Sequence, residues 1–284
     1  MEDLELHKFS PIVLEKKRKK GYSPIICFLG SRGSGKSTLV QDIVYYLREI
    51  KMGLCQSGTE EGNGFYSKII HPLFIYNKFE PEALNDLLVH QKKKAKKLMA
   101  KGLELKYQSE EHVFVILDDL AYDKAMMKEE SIREIFFNGR HYGITLIITF
   151  QFMMELKPEY RTNIDYVFVC KETKKDNIER LYKYFFGMFD KCADFKKVLN
   201  SCTNDYGCLV LDNTSKSERI EDQVFWYKAA LGCEYKMGAP NWSKWDDLLK
   251  ERNTGPEEEE EKTYVKKQKA STLRIIKKGP RNEL

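Results

Sequence analysis

Residues 30–37 read Gly30-Ser31-Arg32-Gly33-Ser34-Gly35-Lys36-Ser37, a full match to G-x-x-x-x-G-K-[ST]. This octet constrains the fold more than any other part of the chain, because it works only between a strand and a helix. Both flanks comply. Ser23–Leu29 is a short apolar run that reads as a buried strand, and Leu39, Ile43, Tyr46, Leu47 and Ile50 follow with helical spacing. Glycines let backbone N–H groups turn inward around phosphate oxygens. A helix beginning near Gly35 aims the positive end of its dipole at the same anion. Gly30 through Thr38 are therefore the candidate nucleotide-binding residues. Lys36 is the charge expected at the β- and γ-phosphates, and Ser37 the hydroxyl expected on Mg²⁺. Arg32, inside the loop, is a further candidate for phosphate contact.

A phosphate loop alone does not separate kinases, GTPases and ATPases. The run Val113–Leu117 ends in Asp118-Asp119, as a Walker B strand does. Five apolar residues in a row suit a strand buried on both faces of a parallel sheet. Asp118 is the expected magnesium ligand, and Asp119 the residue that orients or deprotonates the attacking water. The strand expected at Ile144–Thr149 ends at Phe150-Gln151, which makes Gln151 a candidate contact to the γ-phosphate and the water. No N-K-x-D sequence for reading guanine occurs.

The remaining pattern is an α/β alternation with a central, mostly parallel sheet flanked by helices. A strand is expected near Leu54–Ser57, a short helix at Phe65–Ile70, a short strand at Leu73–Tyr76, and a long helix from Pro81 to about Lys106. Ser131–Asn138 reads as a helix stopped by Asn138-Gly139. A strand at Tyr166–Cys170, a helix over about 174–186, and strands at Gly207–Leu211 and Val224–Tyr227 follow. Residues 1–22 read as a basic lead-in, 23–254 as the ATPase domain, and 255–284 as a charged, disordered tail. Trp242, Trp245, Leu248 and Leu249 have the spacing of a terminal helix.

Composition narrows the classes further. No uninterrupted apolar run is long enough for a membrane span, and the N-terminus lacks the order of a signal peptide. Seven cysteines without a C-x-x-C pair read as reduced thiols, and five histidines show no zinc spacing. A non-secreted protein is expected. Against 43 acidic residues stand 48 basic ones, some clustered at Lys16–Lys20 and Lys92–Lys97. Such runs are candidates for phosphate contact or simply solvated faces.

The stretches GSRGSGKSTL, VFVILDDL and NGRHYGITLIITFQ together resemble the genome-packaging ATPases of nucleocytoplasmic large DNA viruses, of poxvirus, iridovirus and mimivirus type, in the FtsK–HerA superfamily. Thr59-Glu60-Glu61 with Phe65-Tyr66, Phe74-Ile75-Tyr76 and Arg161-Thr162-Asn163-Ile164-Asp165 extend the resemblance over roughly Ser23 to Tyr227. It implies a RecA-like core and a homo-oligomeric ring around non-specifically bound double-stranded DNA. ATP and Mg²⁺ would sit between subunits, and capsid or portal proteins would be further partners. The host cytoplasm, at the viral factory, or the virion would be the location. An arginine from the neighbouring subunit would complete the site. Arg140 is the preferred candidate, ahead of Arg161. The alternatives are a DNA- or RNA-binding regulatory ATPase that uses ATP as a switch without translocation, and a small-molecule kinase. Only Arg161 and Arg180 lie between Gln151 and residue 200, too few for the arginine-rich lid of a kinase.

Overall fold

The computed structural model describes residues 4–120, 126–151, 156–230, 232 and 234–239. All belong to a compact unit spanning Met1–Ala239. Cys233, the expected terminal helix around Trp242 and the expected tail 255–284 lie outside the described residues.

Eight strands form one sheet in the order β3-β2-β4-β5-β1-β6-β7-β8. They are β1 Ile25–Leu29, β2 Met52–Ser57, β3 Ile75–Tyr76, β4 Val113–Asp118, β5 Ile144–Phe150, β6 Tyr166–Val169, β7 Gly207–Asp212 and β8 Val224–Lys228. Pairings among β1 to β6 are all parallel, whereas β7 runs antiparallel to both β6 and β8. The strands' near-continuous apolar sequences follow from burial on both faces. Ile25, Cys27 and Leu29 pack into one core cluster, and Ile26 and Phe28 into the other.

The helices are α1 Ile12–Lys19, α2 Lys36–Tyr45, α3 Glu60–Asn63, α4 Pro81–Met99, α5 Glu130–Asn138, α6 Pro158–Arg161, α7 Lys175–Phe185 and α8 Cys192–Cys202. Leu14 of α1 and Leu39, Val40, Ile43 and Val44 of α2 cover one face of the sheet. Helices α4, α5, α7 and α8 cover the other, through Leu84, Ile132, Leu181 and Leu199 among others. Helix α8 was not expected, although Phe195, Leu199 and Cys202 carry its apolar spacing.

Several expectations change. The long helix expected to reach about Lys106 ends at Met99. The expected short helix at Phe65–Ile70 is a single 3₁₀ turn, Tyr66–Lys68, and another 3₁₀ turn, Pro72–Phe74, leaves β3 only two residues. Helix α5 ends at Asn138 with Gly139 as its C-cap, where the sequence placed the stop, but Gly139 is right-handed (φ −52°, ψ −37°) and the chain continues into a 3₁₀ turn through Tyr142. Gly143 ends it at φ +64°, a conformation that costs glycine little. A Cβ there would also lie 2.8 Å from the His112 ring. Finally, residues 4–22 do not merely lead into the domain. Lys8 bridges to Trp226 beside β8, and the Phe9 ring packs edge-on against Tyr166, Phe168, Phe225 and Tyr227. The basic run of α1 is partly used inside the unit. Lys17 bonds to Tyr166 and Thr214, and buried Arg18 bonds to Glu49 at 2.8 Å and the Ser109 carbonyl at 3.1 Å.

Candidate functional site

In a parallel sheet, ligands collect at the carboxyl ends of the strands. Four adjacent strands, β2, β4, β5 and β1, end here side by side and deliver Gly58, Asp118, Gln151 and the loop after Leu29 to one cleft. The cleft has a volume of about 1130 Å³. Arg32, Gly33, Gly35, Lys36, Ser37 and Thr38 form one wall. Asp118, Asp119 and Gln151 form the next, and Thr59 to Asn63 close that side. Sites that sequence alone spaces more than 110 residues apart are thus brought together.

The loop turns on two left-handed glycines, Gly33 at φ +75° and Gly35 at φ +88°. Helix α2 starts at Lys36, with Gly35 as its N-cap. No side chain caps that end, so its first N–H groups are directed to the cleft for an anion. The Lys36 ammonium bonds to the carbonyls of Gly30 at 2.6 Å and Ser31 at 3.2 Å. Ser34 Oγ is buried without a hydrogen-bond partner among the described residues.

Asp118 is only 6% exposed. Burial pushes its pKa above the usual carboxylate value, and the Asp119 charge adds to that; hydrogen bonds from Thr149 and Ser57 oppose it. Thr149 Oγ1 donates to Asp118 Oδ1 at 2.7 Å, and Ser57 Oγ to Oδ2 at 3.3 Å. Ser57 and Thr149 therefore orient the carboxylate. Their signal in the sequence is position alone, each near the end of a strand beside β4. Asp119 stands at φ +49°, off the strand line, and its N–H donates to Thr149 Oγ1 at 3.1 Å. Gln151 Nε2 donates to Asp119 Oδ1 at 2.5 Å.

Mg²⁺ keeps several waters and takes one or two carboxylates plus substrate phosphate oxygens. Ser37 and Asp118 line the same cleft, and their oxygens are the hard donors that ion prefers. No cluster of three or more acidic, cysteine or histidine side chains suited to holding a metal by itself occurs among the described residues.

Arg140 is not in this cleft. It precedes β5, whereas Gln151 follows it; seven residues at about 3.3 Å each put the two at opposite ends of that strand. Its side chain is exposed, with one long hydrogen bond to Asn163 at 3.4 Å. Arg161 is more tightly held: Nε donates to the Leu156 carbonyl at 2.9 Å, and the guanidinium stacks 3.7 Å from the Tyr184 ring centre. The far side of the cleft holds residues that no sequence signal marks, Asp205, Tyr206 and Lys228. None belongs to a motif.

Comparison with known proteins agrees with this geometry. The genome packaging NTPase B204 of Sulfolobus turreted icosahedral virus 2, solved in complex with AMPPCP, superposes with a TM-score of 0.50 at 18% identity, over 73% of this chain and 98% of that one. At that identity the likeness concerns the fold, a P-loop NTPase fold. The protein L437 of Acanthamoeba polyphaga mimivirus is 36% identical over 210 residues, 72% of either chain. The protein 075L of Invertebrate iridescent virus 6 is 31% identical over 210 residues, covering 72% of this chain and 74% of its own. Residues 15–226 match the poxvirus A32 protein family from before β1 into β8, and the chain belongs to that family, the packaging-ATPase group its motifs resemble.

Proposed function

We propose that this chain is an ATP-hydrolysing translocase that packages a viral double-stranded DNA genome. The observation that carries the reading is the convergence of the phosphate loop, the Asp118-Asp119 pair and Gln151 on one cleft, in a member of the poxvirus A32 protein family. The backbone N–H groups of residues 33–38 hold the phosphates. Lys36 exchanges two neutral carbonyl acceptors for charged phosphate oxygens, and charge-assisted bonds are the stronger. Ser37 and Asp118 would hold Mg²⁺, which would supply positive charge against the triphosphate. Asp119 orients and deprotonates water. Gln151, already bonded to Asp119, gains a competing partner when a γ-phosphate arrives and so reports its presence. Arg140 of one subunit serves the cleft of the next in a homo-oligomeric ring. Capsid or portal proteins anchor that ring, and the work is done in the host cytoplasm or the virion. No described helix is long and apolar enough to cross a membrane.

The test is ATP turnover with and without duplex DNA, beside a triplex-displacement assay, which reads movement along an intact duplex. Duplex DNA should stimulate turnover. Lys36→Ala should remove nucleotide binding. Asp119→Asn should keep binding but slow hydrolysis by about two to four powers of ten. Turnover indifferent to DNA and no movement along it would leave a switch-like ATPase. Normal hydrolysis by Asp119→Asn would remove Asp119 as the base.

A further inference from the structure

We infer that Tyr206, held over the phosphate loop by the Asp205–Lys228 ion pair, is the platform on which the nucleobase of the bound triphosphate stacks. This rests on the reading of the cleft as an ATP site and extends it to the nucleoside end, which no motif in the chain addresses.

The direction of the substrate follows from strand order. Asp119 and Gln151 come from β4 and β5, on one side of the loop after β1, and the γ-phosphate must face them. The base then points the other way, across the ends of β6, β7 and β8. There the cleft is lined by Asp205, Tyr206, Lys228 and Ala229. The Tyr206 ring overhangs the start of α2: a Cβ built on Gly35 would lie 3.2 Å from its Cδ1. Yet Tyr206 is 73% exposed. An aromatic ring with one edge on the phosphate loop and a face open to the cleft offers the surface a base needs.

The backbone supports the same conclusion. Asp205 (φ +51°) and Tyr206 (φ +59°) are consecutive left-handed residues. Aspartate tolerates that conformation, but a bulky aromatic rarely adopts it. A turn that merely ended α8 would be served by glycine, and Gly207 is the very next residue. The strain is instead carried by the one residue that reaches the loop, a pattern typical of ligand clamps. The Lys228 ammonium of β8 bonds to the Asp205 carboxylate and ties the strained turn to the sheet.

The experiment is equilibrium binding of ATP, GTP and inorganic tripolyphosphate to wild type, Tyr206→Ala and Tyr206→Phe. Stacking of a base on an aromatic ring is worth a loss of about 5- to 150-fold when the ring is removed. Tyr206→Ala should weaken ATP and GTP by such a factor, leave tripolyphosphate unchanged, and be rescued by Tyr206→Phe. Equal loss of all three ligands would make Tyr206 a support of the phosphate loop and overturn the proposal. No loss of any would take it out of the nucleotide path. If wild type binds neither ATP nor tripolyphosphate, the phosphate-loop reading itself fails, a result distinct from either of these. Tyr206 is exposed, so its removal leaves the core intact, and melting temperatures of the variants verify that.

Discussion

Asp118 and Asp119 are neighbours in sequence and opposites in environment. Asp118 is buried at the end of β4 and held by Thr149 and Ser57, while Asp119 turns out of the strand to meet Gln151. Burying a carboxylate costs stability unless its hydrogen bonds fully compensate. Here burial dominates and the pKa is raised. The folded state therefore binds the Asp118 proton more tightly than the unfolded chain does. Stability must fall as pH rises from the unfolded carboxylate value, about 4, through the folded one. Above that window the full cost is present. Asp118→Asn keeps the shape without the charge, so at pH 7 it should melt higher than wild type while losing Mg²⁺-dependent hydrolysis. Near pH 4 and below the two should melt alike. In a domain of this size each 1 kcal/mol moves Tm by roughly 2–4 °C. A lower Tm for Asp118→Asn at pH 7 would mean that the two hydroxyl bonds outweigh the desolvation. That site would then be built for stability as well as for magnesium.

At the scale of elements, α4 decides what a run of lysines can do. Consecutive helical residues point about 100° apart, so Lys92–Lys97 cannot act as one patch. Lys92 pairs with Glu134 of α5, and Lys94 bonds to Glu111 at 2.7 Å. Lys93, Lys96 and Lys97 are exposed and carry no ion pair among the described residues. These three are the DNA candidates. Replacing them with glutamine should weaken binding to two unrelated duplexes alike. In a salt titration the log–log slope should flatten by about 0.9 for each phosphate that the protein no longer neutralises. An unchanged slope would take α4 off the DNA path. Strong preference for one duplex would speak against a packaging motor, which must pass over any sequence. The run in α1 is divided in the same way: Lys17 and Arg18 are engaged within the unit, leaving Lys16 and Lys20 outward.

For the whole molecule, the edge of the sheet matters. Arg140 sits at the amino end of β5 and the cleft at the carboxyl ends, so Arg140 cannot serve its own nucleotide. Its exposure, with a long hydrogen bond to Asn163 among the described residues, suits the role proposed for it at another subunit's cleft. An arginine supplied in this way is worth about three to five powers of ten in rate in the best-studied phosphoryl-transfer enzymes. Arg140→Ala and Lys36→Ala rings should each be nearly inactive. Mixed rings should regain turnover, because an interface between an intact loop and an intact arginine reappears. Mixed rings that form but stay inactive would shift the role to another residue; Arg161, engaged with Leu156 and Tyr184, would first have to be released.

What the sequence determined by itself was local. The glycines of a phosphate loop, a lysine and serine opening a helix, and apolar runs ending in Asp118-Asp119 and Phe150-Gln151 were all legible from neighbouring residues. The parallel α/β class followed, since strands buried on both faces have no polar side to display. Strand order, and with it the meeting of those segments, was decided only in the fold, through pairings such as Leu54 with Val115 and Ile25 with Leu146. So were the residues whose role depends on a distant partner: Ser57 and Thr149 as the supports of Asp118, the lysines of α4 divided into paired and free, and Gly143 as the left-handed end of the 3₁₀ turn that continues from α5. Tyr206 is the extreme case. Nothing around it in the sequence marks it, because its neighbour is Gly35, more than 170 residues earlier, and only the packing of β7 beyond β6 puts the two side by side.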